Sequence, residues 1–158
     1  MTTRDRWVFL SYRLPRDPSA PRLAVWRRLK RLGVAQLLDG LVALPLDSRN
    51  REQLDWTAEQ VTESGGEAAI WLAEASTQAQ SRQIAKDMSA AIAEQYRGIE
   101  KEALAATAAP SREQRTTLAR LRRELGRIRR RDYFPPADRE AAHAAVESLA
   151  QTVEELAA

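Results

Sequence analysis

Val34-Ala35-Gln36-Leu37-Leu38-Asp39-Gly40-Leu41-Val42-Ala43-Leu44-Pro45 is the stretch that decides the fold. Residues 34–37 and 41–44 read as two short apolar strands, and Asp39-Gly40 between them is a favoured pair for a tight hairpin turn. Pro45 ends the second strand because it has no N–H for a ladder. On the N-terminal side, Gly33 stops a helix that Ser19 is placed to cap, with Pro21 tolerated in its first turn. Val25, Leu29 and Leu32, joined by Trp26, line one face of that helix, and Arg27, Arg28, Lys30 and Arg31 fill the other. Before it, Trp7-Val8-Phe9-Leu10-Ser11-Tyr12 is a buried strand, closed by a loop at Pro15 and Pro18. On the C-terminal side, a helix is expected from near Asn50, with Gln53 completing a capping box, to Ser64. Its inner face is Leu54, Ala58 and Val61. Gly65-Gly66 breaks it, and residues 67–73 form a fourth strand around Ile70, Trp71 and Leu72. The order β-α-β-β-α-β predicts an α+β, ferredoxin-like domain over residues 1–75.

Residues 76–158 change character to Ala, Gln, Glu and Arg with few β-branched side chains, and predict a C-terminal helical extension. Ile84, Met88, Ile92, Ile99 and Ala103 share one stripe of a long first helix, roughly 40 Å in length. The segment ending at Pro110 breaks it, and Ser111 with Gln114 suggests a second capping box. Leu118, Leu121, Leu125 and Ile128 then repeat with 3-4-3 spacing, a narrow seam for helix-on-helix packing. The Pro110 connection predicts that these two helices run antiparallel. After a turn at Asp132-Tyr133-Phe134-Pro135-Pro136, a last helix places Ala142, Val146, Leu149, Val153 and Leu156 inward.

Charge is segregated along this frame. Residues 1–31 hold nine basic side chains against Asp5 and Asp17, and residues 112–131 hold nine arginines against Glu113 and Glu124. The remainder is acidic, so a net charge of only +3 conceals two strongly basic segments. Such segregation creates a local field and points to an anionic partner. Arginine forks match phosphate and base edges better than lysine does. Double-stranded DNA is the expected partner, with Arg115, Arg122, Arg123, Arg129, Arg130 and Arg131 as contacts from the second segment and Arg27, Arg28 and Arg31 from the first. Arg115, Arg122 and Arg129, seven apart, are assigned to phosphates; Arg130 and Arg131, beside the turn, to base edges. The plainer alternative is a solvated face that pairs with acidic helices or docks an acidic protein.

Several chemistries find no support in the residues. There are no cysteines, which removes disulfides and thiolate metal sites, and the lone His143 has no second ligand at helical spacing. No Ser-His-Asp order or phosphate-cradling glycine loop occurs. No cofactor or metal is expected, and no enzyme activity. No apolar run approaches membrane-spanning length, so a cytoplasmic protein without a membrane partner is expected. Trp7, Trp26, Trp56 and Trp71 fall one per element and are expected in the core.

The ordered motifs Trp7-Val8-Phe9-Leu10-Ser11-Tyr12-Arg13-Leu14-Pro15, Pro18-Ser19-Ala20, Val25-Trp26-Arg27-Arg28-Leu29-Lys30-Arg31-Leu32-Gly33, Gly65-Gly66-Glu67-Ala68 and Arg129-Arg130-Arg131-Asp132-Tyr133-Phe134 together resemble the N-terminal domain of ChrB-type chromate-resistance regulators. The resemblance implies a chromate-responsive transcription factor that binds operator DNA, and a homodimer suits a symmetric operator. It also implies that chromate, as effector, acts through a C-terminal region beyond residues 1–158. The core is similar to that of PaaX-type repressors and of CRISPR-associated spacer-acquisition endonucleases. The endonucleases carry a metal-binding Asp at the end of the first strand. Here Arg13 stands in that place, a cation that would repel Mg²⁺, so a nuclease is the weaker reading.

Overall fold

The computed structural model describes residues 5–158. The elements are β1 (Arg6–Arg13), α1 (Ala20–Leu32), β2 (Ala35–Leu38), β3 (Leu41–Pro45), α2 (Ser48–Glu63), β4 (Glu67–Glu74), α3 (Gln78–Ala106), α4 (Ser111–Arg130) and α5 (Asp138–Ala157). The strands make one antiparallel sheet in the order β2-β3-β1-β4, in a mixed α+β chain. The described chain divides into two compact units within α3, one through Met88 and one from Ser89.

The hairpin that decides the fold forms around Gly40. Its φ of +74° is open to glycine, and the Tyr12 N–H donates to its carbonyl at 2.8 Å. A Cβ there would lie 2.4 Å from the Tyr12 carbonyl oxygen, so the β2–β3 turn can approach β1 only without a side chain. β2 starts at Ala35, one residue later than the pattern predicts. The Val34 N–H is taken by the Leu29 carbonyl at 3.4 Å, closing α1 around the left-handed Gly33.

β1 is central and buries both faces: Trp7, Val8 and Leu10 are fully buried. Val8 lies opposite Leu44 on one side and Leu72 on the other, while the next residue, Phe9, lies opposite Ala43 and Trp71. Alternation therefore sends Val8 and Leu10 to one face and Trp7, Phe9 and Ser11 to the other. α1 and α2 pack together, burying Val25, Leu29, Leu54 and Val61, and α2 also packs on β1 and β4. The Trp7 indole Nε1 donates to Ser81 Oγ at 3.0 Å, which ties the start of α3 to β1.

Three local expectations are corrected. α2 begins at Ser48, not near Asn50, because the Asp47 carboxylate accepts the Asn50 N–H at 2.6 Å. Asn50 is a buried first-turn residue whose amide donates to the Pro45 carbonyl at 2.9 Å. No side-chain cap forms at Ser19. Of the tryptophans Trp7 alone is core; Trp26, Trp56 and Trp71 are 48%, 46% and 57% exposed. Trp26 and Trp56 sit one and two residues past the buried Val25 and Leu54, which turns them off the apolar stripe. Trp71 stays exposed with its Nε1 donated to Ser11 Oγ at 2.9 Å.

The second unit is built from the later part of α3 with α4 and α5. Ile92, Tyr96, Ile99 and Ala103 of α3, Leu118, Leu121, Leu125 and Ile128 of α4, and Ala142, Val146 and Leu149 of α5 form one buried cluster. α3 and α4 are antiparallel, as expected: Arg120 reaches back to Glu102 while Arg131 reaches Gln95. Ile84 and Met88, which the stripe assigns to this seam, belong to the first unit instead. The expected capping box at Ser111 is absent. Gln114 is buried and donates Nε2 to the Thr107 carbonyl at 3.0 Å, clamping the connection from inside. Leu156, expected inward, is 57% exposed near the end of α5. No described helix is long and apolar enough to cross a membrane.

Candidate nucleic-acid interface

α4 becomes a basic helix because of where its apolar residues fall. Gln114, Leu118, Leu121, Leu125 and Ile128 occupy one buried stripe, so the nine arginines of residues 112–131 are forced onto the remaining surface. They sort by flank. Arg120 lies toward α3, where Glu102 pairs with it and Glu124 accepts from it at 3.3 Å. These carboxylates raise the Arg120 pKa still further, Glu102 most strongly. Arg131 also faces α3, and its Nε donates to Gln95 Oε1 at 3.0 Å. It is half-buried, and burial, with the nearby Arg127 charge, pulls its pKa down. Arg131 therefore ties the end of α4 to α3 through Gln95.

The remaining arginines of α4 have no such partners. Arg112, Arg115, Arg122, Arg123, Arg127, Arg129 and Arg130 are exposed, and among the described ion pairs none engages them. At 100° per residue, Arg112, Arg123 and Arg130 lie opposite the buried stripe. Arg115, Arg122 and Arg129 run along one flank together, as the seven-residue spacing predicts. Arg129 lines a cleft with Leu125, Arg139, Glu140 and His143.

A second basic concavity lies in the first unit. Arg27, Arg28 and Arg31 of α1 line an open cleft of about 430 Å³ with Ala24 and with Gln60 of α2. Arg28 Nη1 donates to Gln60 Oε1 at 3.2 Å, and Arg27 and Arg31 are exposed beside it. Lys30 is held elsewhere, its ammonium 4.4 Å from the Trp26 ring centroid. The three predicted arginines of α1 are thus brought to one wall, and no carboxylate lines that cleft.

Arg13 at the end of β1 pairs with Glu67 at 3.0 Å. Among the described residues no three His, Asp or Glu side chains cluster as metal ligands. Arg139 and His143 join Arg129 in its cleft because α5 folds back against α4, which the arginine spacing along α4 does not encode.

The profile described as Protein ChrB, N-terminal, matches residues 22–158. The chain belongs to this family. The match includes the arginines of both basic segments from Arg22 onward, and it relates the chain to regulators of chromate resistance. No curated protein matches it. Among solved structures, the uncharacterized protein Rv0674 from Mycobacterium tuberculosis superposes with a TM-score of 0.54 at 16% identity, over 96% of this chain. The chain spans 63% of the length of that structure, and the likeness concerns the fold alone.

Proposed function

We propose that this chain is a cytoplasmic DNA-binding domain of a chromate-resistance regulator. It holds double-stranded operator DNA through the unpaired arginines of α4 and the arginine cleft of α1. One observation carries the reading: on the side toward α3 the fold pairs Arg120 with carboxylates and holds Arg131 on Gln95, and it leaves the seven other arginines of the segment exposed with no described ion pair. A helix that needed charge only for solubility gains nothing from so many like charges side by side. Phosphates neutralise them and release condensed counterions.

Within that reading, Arg112, Arg115, Arg122, Arg123 and Arg127 contact phosphates, and Arg130, on the outward face near the end of α4, is the candidate for a base edge. The sheet order with its β-α-β-β-α-β sequence supports a ferredoxin-like first unit. The chain acts as a homodimer on a symmetric operator, without enzymatic activity or a cofactor of its own. Chromate acts through a further region of the family's architecture. The test is a band-shift titration against DNA from upstream of the chain's own gene, with a scrambled duplex of equal length beside it. Tighter binding to the upstream duplex is expected, with no cleavage on adding Mg²⁺. Equal affinity for both would refute operator recognition, and cut DNA would restore the nuclease reading.

A further inference from the structure

Arg129 of α4 and Arg139 of α5 line one cleft of about 240 Å³, whose other walls are Leu125, Glu140 and His143. Both guanidiniums keep their charge at any working pH. Elsewhere in this unit, two arginines that face another helix are paired with carboxylates. Arg97 meets Glu94 at 2.5 Å and Asp138 at 3.0 Å, and Arg120 meets Glu102 and Glu124. Asp138, the residue beside Arg139, is thereby committed to Arg97. Glu140 shares the cleft, yet no described ion pair joins it to Arg129 or Arg139. Two cations converging on one concavity repel each other, and an anion between them converts that repulsion into attraction. A tetrahedral oxyanion suits this wall best. Each guanidinium fork can take a separate edge of the tetrahedron, whereas a planar carboxylate offers one edge for a bidentate contact.

We propose that this cleft binds a phosphate group, gripped by Arg129 and Arg139 with the His143 imidazole at its side. Where that phosphate belongs to the DNA backbone, the inference rests on the DNA-binding reading above and extends the contact surface from α4 onto α5. The site adds Arg139 and His143 to the arginines of residues 112–131. Glu140 accepts a hydrogen bond from a protonated phosphate oxygen or from the imidazole, and its charge limits how tightly a free dianion is held.

His143 is the one histidine in the chain, so an untagged preparation has a single imidazole resonance to report on the cleft. Inorganic phosphate is added at constant ionic strength, and the resonance is followed by NMR across pH. The groups around the imidazole are Arg129 from α4 and Arg139 and Glu140 from α5. A bound anion changes the field at the imidazole, so phosphate should shift the resonance saturably. Arg139→Ala and Arg139→Gln should both abolish the response, and Lys101→Ala, an exposed cation of α3 outside the cleft, should keep it. A second arm uses a labelled duplex. The same resonance should respond to DNA, and Arg139→Ala should lower the slope of log K against log[salt] by about 0.9. A response to phosphate but not to the duplex would support the cleft as a free-phosphate site. Duplex binding with an unmoved His143 resonance and an unchanged slope in Arg139→Ala, and no phosphate response, would overturn the cleft while leaving DNA binding intact. Failure of the wild-type chain to bind any duplex would sink the DNA reading, and the phosphate arm would then decide the cleft alone.

Discussion

Replacing Arg122, Arg123 and Arg130 together with alanine separates a DNA-binding helix from a solvated one. All three are exposed and none is engaged by a described ion pair, so no described ion pair is lost. Alanine is the best helix former, and the buried stripe from Gln114 to Ile128 is untouched, so the variant should melt like the wild type. If each arginine neutralises one phosphate, the slope of log K against log[salt] falls by about 0.9 per contact, or about 2.7 in total. Over a fourfold rise in salt, the wild type should then lose roughly 40-fold more affinity than the variant. Fluorescence anisotropy with a labelled duplex at several salt concentrations measures this directly. Arg120→Ala is the internal control. Its guanidinium is already held by Glu102 and Glu124, so the slope should stay within half a contact of wild type. The exposed pairs it loses contribute under about 1 kcal/mol each. Equal slopes for the wild type and the triple variant would refute the reasoning. So would a loss from Arg120→Ala as large as that from Arg122→Ala.

Other outcomes follow from the packing. Leu121 is fully buried in the three-helix cluster, so Leu121→Ala should cost about 2–5 kcal/mol in urea unfolding and Leu121→Asp should unfold the second unit; unchanged stability would place the seam in solvent. Tyr96 donates its hydroxyl to Asp132 at 2.8 Å, and Tyr96→Phe should cost about 1.5–3 kcal/mol, because the Asp132 carboxylate, whose other oxygen is buried without a partner, loses its donor. Burial, the Asp132 hydrogen bond and the Asp132 charge raise the Tyr96 pKa. Above pH ~10 the unfolded chain has lost a phenol proton that the folded one keeps, so this contribution is complete below pH ~10 and declines as the pH rises further. Tyr96→Phe should remove that part of the alkaline loss in chemical denaturation, and an identical alkaline decline in both proteins would count against the assignment. Trp7→Ala should cost about 3–5 kcal/mol by thermal or chemical unfolding, whereas Trp56→Ala should cost far less, since Trp7 is fully buried and Trp56 is nearly half exposed.

The parts of the fold that could be read in advance are those set by neighbours in sequence. The Asp39-Gly40 turn, the Gly33 stop and the Gly65-Gly66 break each carry a local backbone demand, and all three fall between elements. The 3-4-3 stripe of α4 likewise appears as the buried face of that helix. The tryptophans misled because size and apolarity describe a residue without its direction. Trp26 and Trp56 are near buried neighbours in sequence yet about one or two helical steps away in angle. Gln114 misled in the opposite sense, since a polar residue at a helix start suggests a cap while its neighbours fold over it.

The basic segments show the same division between local and long-range information. The sequence by itself determined that arginines cover α4, because a helix with one apolar stripe has to place its charges on the rest of its surface. It also determined the two-strand hairpin and the succession of elements around it. Only the tertiary structure decided which arginines are available. Glu102 lies eighteen residues before Arg120, Gln95 thirty-six before Arg131, and Arg139 ten after Arg129, beyond the turn. Charge along a chain says how many cations a segment holds. Antiparallel packing of α3 against α4 brings acceptors to one flank and the return of α5 brings a second arginine to the other, and that arrangement separates the fastened guanidiniums from those left open to an anion.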